Sequence, residues 1–75
     1  MDKVLDAIER LSHAIALLSY NPIDKEAIRA LTSGIIQNPK HQSCIDQGLA
    51  ENNKAKIIRG VMGELSHYEA EVHKK

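Results

Sequence analysis

The chain has 75 residues, ten Lys+Arg against ten Asp+Glu, one cysteine and no Phe or Trp. That length holds one domain with a thin aliphatic core, burying roughly 60% of the surface its unfolded chain exposes. A lone cysteine excludes a stabilising disulfide framework, and zero net charge excludes the strongly basic footprint of a duplex-binding protein. Self-association or docking on a partner is the supplement to stability that remains for so small a chain.

The first segment carries Val4, Ile8, Leu11, Ile15 and Leu18 at steps of four and three, a heptad-like seam that predicts a helix over 2–20. Asp6 and Arg10 stand one helical turn apart on its outer side, and Leu5, Ala7, Ala14 and Leu17 widen the apolar stripe. The opening run MDKVLDAIERL is charged and periodic and has no apolar h-region, and AIALL is far too short to span a bilayer. The expectation is a soluble, cytoplasmic protein with no membrane partner.

Asn21-Pro22 breaks this helix, because the residue before proline is pushed out of the α region. Asn21 then serves as a candidate N-cap and Pro22 as the first residue of a second helix over 22–37, with Asp24 and Glu26 in its first turn. Ile28, Leu31 and Ile35 form its seam. Gly34 lies four residues after Ala30, which fits either a close helix approach or simply the end of the helix.

Asn38-Pro39 repeats the signal and predicts a short helix over 39–50 that buries Cys44, Ile45 and Leu49, weakened by Gly48. Asn52 or Asn53 caps a last helix over 53–73, whose seam is Ile58, Val61, Leu65, Tyr68 and Val72. Gly60 and Gly63 each cost about 1 kcal/mol against alanine in a helix interior, so their presence points to a close neighbour or a kink. No stretch has the alternation of a strand. The fold class expected is therefore all-α, a single-domain bundle with two long terminal helices, two shorter middle ones and an aliphatic core. The terminal seams match each other and fit pairing either within one chain or across a dimer.

The two Asn-Pro stretches, NPIDKEAI and NPKHQSCI, begin 17 residues apart but share little between the proline and the closing isoleucine. That spacing is shorter than the 20–50 residues usual in helical arrays, so the echo reads as punctuation between helices.

Chemistry is sparse. His41 and Cys44 stand as H-x-x-C without a second pair, and His67 and His73 are six apart, about 240° around a helix, so no metal site or cofactor is expected. Cys44 precedes Ile45 in an apolar stripe, not in the electropositive setting that activates a thiolate, and no glycine-rich loop precedes a helix to cradle phosphate. No catalytic residue is assigned, and an enzyme is not expected. A helix-turn-helix reading sets Ala30 and Gly34 at the turn but leaves Lys40 and Ser43 where aliphatic residues are needed. His13, His67 and His73 each have a Glu four residues away, as ordinary surface histidines often do.

The stretch AIALLSYNPIDKEAIRALTS resembles the helix–Asn-Pro–helix hairpin of type III secretion needle subunits and related small secretion proteins. The likeness covers under a third of the chain, and the glutamine-rich C-terminal pattern of needles is missing. It implies, as an alternative, a secretion-apparatus subunit or chaperone, and it assigns no residue a role.

The reading favoured by the residues is a small non-enzymatic interaction protein of the adaptor, co-chaperone, antitoxin or inhibitor type, which binds another protein or itself. A monomer this small cannot bury all its aliphatic side chains, and the candidates left over are Leu5, Leu17, Ile36, Ile57 and Met62. The rival is a nucleic-acid-binding regulator working through Lys54, Lys56 and Arg59, with Lys74 and Lys75 at the tail.

Overall fold

In a computed structural model, which describes residues 3–73, four helices pack around one core: α1 (Lys3–Tyr20), α2 (Lys25–Thr32), α3 (Pro39–Glu51) and α4 (Lys54–His73). The all-α bundle expected from the seams is the fold. Lys74 and Lys75 lie outside the described residues.

The matching seams of α1 and α4 meet within the chain. The two helices run antiparallel: Lys3 and Val4 line one cleft with Tyr68, while Ile23, just past the end of α1, lines a groove with Lys54 and Ala55. Helix α2 packs on α1, and α3 packs on α4. The core is Ala7, Leu11, Ala14 and Leu18 of α1, Ile28 of α2, Ile45 and Leu49 of α3, and Ile57, Val61 and Tyr68 of α4.

The seams are rotated from their expected position. In α4 the buried line is Ile57, Gly60, Val61, Glu64 and Tyr68, while Ile58 and Leu65 are only half-buried and Val72 is exposed. In α1, Ala7 and Ala14 join Leu11 and Leu18 inside, leaving Val4, Ile8 and Ile15 half-buried. The reason is that each long helix has neighbours on two sides, and the second neighbour draws the buried line towards itself. The heptad seams therefore straddle the core and an open side.

The two Asn-Pro pairs part company. Asn38 caps α3, its side chain accepting from the Lys40 N–H at 2.9 Å, with Pro39 at the start of the helix. Asn21 caps nothing in α2: its own N–H donates to the Leu17 carbonyl at 3.0 Å and so closes α1. Helix α2 starts instead at Asp24, whose carboxylate accepts from the Ala27 N–H at 3.1 Å. Ile23 and Ile28 then stand at the N′ and N4 positions of a hydrophobic staple, and both pack into the core. Burying Ile23 requires the extended Pro22–Ile23 link, which is why the proline cannot open the helix.

Helix α2 is also shorter than expected, ending at Thr32. Ser33 (φ −61°, ψ 123°) and Gly34 (φ +76°) follow, and the Ile35 N–H donates to the Thr32 carbonyl at 3.3 Å. This is the pattern of a type II turn, whose third position needs positive φ. Gly34 is thus a turn residue, and nothing lies within 4 Å of where its Cβ would be. The close-approach reading does not hold there.

It holds at the other three glycines. A Cβ on Gly48 would lie 2.5 Å from the Ile57 side chain and 2.8 Å from its backbone nitrogen. On Gly60 it would meet the His41 carbonyl oxygen and the Ile45 side chain, both at 2.8 Å. Helices α3 and α4 pack closely because these positions lack side chains. Cys44 sits beside this contact and is half-buried, less enclosed than expected. Between the helices, Asn52 (φ 54°) ends α3 in the left-handed region that asparagine tolerates, and Asn53 accepts from the Lys56 N–H at 3.2 Å to start α4.

Candidate functional site

Helix α4 presents two unlike faces. One looks towards α3 and is built around Glu64, a carboxylate only 1% exposed. Its Oε1 accepts from the Asn38 N–H and is bonded to His41 Nδ1, both at 2.9 Å. The His41 ring has room because Gly63 has no Cβ; one built there would lie 2.5 Å from Nε2. Glu64 also stands at the N-terminus of α3, where the helix dipole favours an anion. Burial pushes its carboxyl pKa up, but the His41 hydrogen bond, the Asn38 and Gln37 backbone and the nearby imidazole outweigh this, and the net direction is below the ordinary carboxylate value.

The next member of the polar network lies one turn of α4 further on. Tyr68 donates its hydroxyl to the Ile35 carbonyl at 2.6 Å. Burial and the Glu64 charge raise its pKa, against a smaller opposing effect of the Gln37 side chain. Together Glu64 and Tyr68 pin both ends of the segment from Ile35 to Asn38 onto α4. A cleft of about 260 Å³ opens here, lined by Gln37, Asn38, His41, Glu64 and His67. Glu64 Oε2 is buried in this region with no hydrogen-bond partner among the described residues. A carboxylate-held imidazole is an arrangement that general-base catalysis uses. Here the same oxygen also anchors the α3 N-terminus, so the visible work of the pair is mechanical. Among the described residues no group of three or more His, Cys, Asp or Glu side chains is placed to hold a metal ion.

The other face is apolar and open. On α4, Met62 is 52% exposed and Val72 39%, with Ile58 and Leu65 half-buried beside them; on α1, Leu5 is 55% exposed, with Ile8 and Ile15 half-buried. At about 100° of rotation per residue, Met62 and Leu5 each lie roughly 140–150° from the middle of their helix's buried line, turned in the same sense. In an antiparallel pair the same sense of rotation leads to the same side. On the opposite side, Asp6 and Arg10 of α1 line a cleft with the turn after α2, and Gly60 and Gly63 of α4 meet α3. Helices α2 and α3 thus cover one side of the α1–α4 layer, and among the described residues no helix covers the side carrying Leu5 and Met62.

The five apolar candidates divide accordingly. Leu5 and Met62 share the bare side. Leu17 is half-buried and lies about 120° around α1 from Leu5, towards α2. Ile36 is half-buried against the core from the α2–α3 connection. Ile57 is completely buried, packed where Gly48 lets α3 approach, and offers no surface. That correction has the same origin as the rotated seam: the α3 contact claims the Ile57 side of α4. What the residues did offer, and the expectation passed over, is the outward half of each heptad seam: Ile8, Ile15, Ile58 and Leu65.

The basic candidates do not gather into a strip. Lys54 and Lys56 point about 200° apart on α4, and Lys56 is paired with Glu51 at 3.0 Å. Arg59 is exposed between them in rotation. Arg10 is likewise paired with Asp6, at 3.2 Å, as their spacing implied.

No protein-family model matches the chain, and no curated protein or solved structure matches it. No helix among the described residues is long and apolar enough to cross a membrane.

Proposed function

We propose that this chain is a non-enzymatic helical interaction module of the adaptor or inhibitor type, which works by presenting its α1–α4 face to a protein partner, a different chain or a second copy of itself. The observation that carries the reading is the bare side of the α1–α4 layer, where Leu5 and Met62 are each more than half exposed beside half-buried aliphatic residues on both helices. Grouped apolar side chains on one side of a layer mark interaction sites, whereas single exposed aliphatic residues do not. Two ridges of aliphatic side chains suit a partner that presents apolar helix faces of its own. Cys44 is a free thiol, which supports a reducing compartment, the cytoplasm, as its place of work.

The test is capture from the source cells with mass spectrometry, comparing wild type with Leu5→Glu, Met62→Glu and, on the exposed side of α3, Gln47→Glu. The two face variants lose the captured partner with their far-UV circular dichroism unchanged, and Gln47→Glu keeps it. Recovery of the same partners by all four proteins would overturn the assignment of the face.

A further inference from the structure

We infer that the α1–α4 face binds a second copy of this chain, forming a two-fold dimer in which the α4 helices lie antiparallel about a point between Val61 and Met62. This rests on the reading of that face as the binding surface and adds the identity of its occupant.

The first support is the order of side chains along α4. Ile58 and Leu65 lie symmetrically about the midpoint between Val61 and Met62, and so do Lys54 and Glu69. An antiparallel copy therefore sets Ile58 level with the partner's Leu65 and Lys54 level with the partner's Glu69, and the two-fold repeats both pairs. Lys54 and Glu69 are exposed and enter no ion pair among the described residues. Between them the outward strip Ala55, Ile58, Met62, Leu65 and Ser66 carries no charge. A self-complementary patch with opposite charges at its two ends is what an isologous interface requires.

Helix α1 obeys the same symmetry. Ile8 and Ile15 are equidistant from a point between Leu11 and Ser12. Val4 lies close to Tyr68 along the bundle, and counting inwards from that pair brings the α1 midpoint level with the α4 midpoint to within about one residue, or ~1.5 Å. One axis therefore serves both helices, and α1 packs on its own copy while α4 packs on its own. Ser12 and Ala16 of α1 are small enough to let the two layers approach closely.

The area fits a weak, reversible dimer. A layer two helices wide and about 27 Å long at 1.5 Å per residue offers on the order of 500 Å² per copy, so roughly 1,000 Å² in all. That reaches the lower end of specific interfaces, and the chain's zero net charge imposes no repulsion between copies.

Sedimentation equilibrium at low ionic strength, from micromolar to millimolar chain, tests this. The expected result is a monomer–dimer equilibrium whose midpoint falls within this concentration range. Lys54→Glu and Glu69→Lys each weaken it about tenfold, since each sets like charges together at two related sites. The double variant Lys54→Glu/Glu69→Lys restores wild-type association to within about threefold. Single charge variants that dimerise like wild type, or a double variant that fails to recover, would overturn the antiparallel pairing. A chain that stays monomeric to millimolar concentration would overturn the dimer. If Leu5→Glu and Met62→Glu still abolish capture of a different protein in that case, the binding-face reading survives alone.

Discussion

The two faces of α4 solve the problem of a small core in opposite ways. Towards α3 the helix gives up side chains: Gly60 and Gly63 let the α3 backbone and the His41 ring approach, and Glu64, buried beside them, is held by two hydrogen bonds on a single oxygen. Away from α3 it keeps its aliphatic residues and leaves them partly in water. Close packing with directional bonds fixes one neighbour in one register. An aliphatic ridge without polar partners accepts whatever complements its shape. The first face builds the fold, and the second is free for association.

The largest effect that can break this comparison is an unpaired charge on the wrong side of the helix. Ile57 is fully buried and Met62, five residues on, is half exposed. Ile57→Glu is expected to cost about 4 kcal/mol or more, enough to unfold a domain of this size, because the new carboxylate has no partner in an aliphatic core. Met62→Glu is expected to change monomer stability by less than about 0.5 kcal/mol. Urea unfolding of both variants at low concentration reads the difference. Similar losses in the two would mean that the faces are not distinct.

The next effect falls on the α3 side. Glu64→Ala removes the acceptor for the Asn38 N–H and the partner of His41, with an expected cost of about 3 kcal/mol near neutral pH. The folded-state pKa of Glu64 lies below its ordinary value of 4.5. A depressed carboxyl contributes stability that is present above its unfolded pKa and lost as pH falls through its folded pKa. The gap in stability between wild type and Glu64→Ala should therefore narrow as pH falls below about 4.5. A gap that stays constant on acidification would show that the glutamate acts by filling space, not by its charge.

Much of this architecture was legible in the residues. Periodicity located both long helices, and Asn38-Pro39 marked the start of α3 correctly because its local chemistry is self-sufficient: the asparagine caps and the proline occupies the first turn. The identical dipeptide at Asn21-Pro22 misled because its outcome is decided two residues later. Ile23 has to reach the core, and that moves the start of α2 to Asp24. The staple spacing of Ile23 and Ile28 is a signal that was present in the sequence. The bond between His41 and Glu64 was not, since it joins residues 23 apart whose meeting depends on how α3 docks. For the same reason the heptad steps identified which residues are apolar but not which half of each seam faces inwards. In α1 that is set by α2, and in α4 by α3, through glycines whose meaning is visible only once the two helices are side by side.

A smaller effect on the α3 side tests whether that contact depends on the imidazole or on the backbone beneath it. A Cβ at Gly63 would meet the His41 ring at 2.5 to 2.9 Å, whereas one at Gly60 would meet the His41 carbonyl oxygen at 2.8 Å. The ring lies at the movable end of a side chain that is 27% exposed, so it can swing outwards and give up its bond to Glu64. Gly63→Ala also gains about 1 kcal/mol of helix propensity. Loss and gain nearly cancel, and the net change in stability should stay within about 1 kcal/mol, or a shift of roughly 4–8 °C in melting temperature. The movement itself should be plain in nuclear Overhauser contacts, with those between the His41 ring and α4 lost while the Asn38 amide keeps its contact with Glu64. A fall well beyond that range would mean that α3 shifts as a body, and that the ring, not the Asn38 N–H, holds α3 on Glu64.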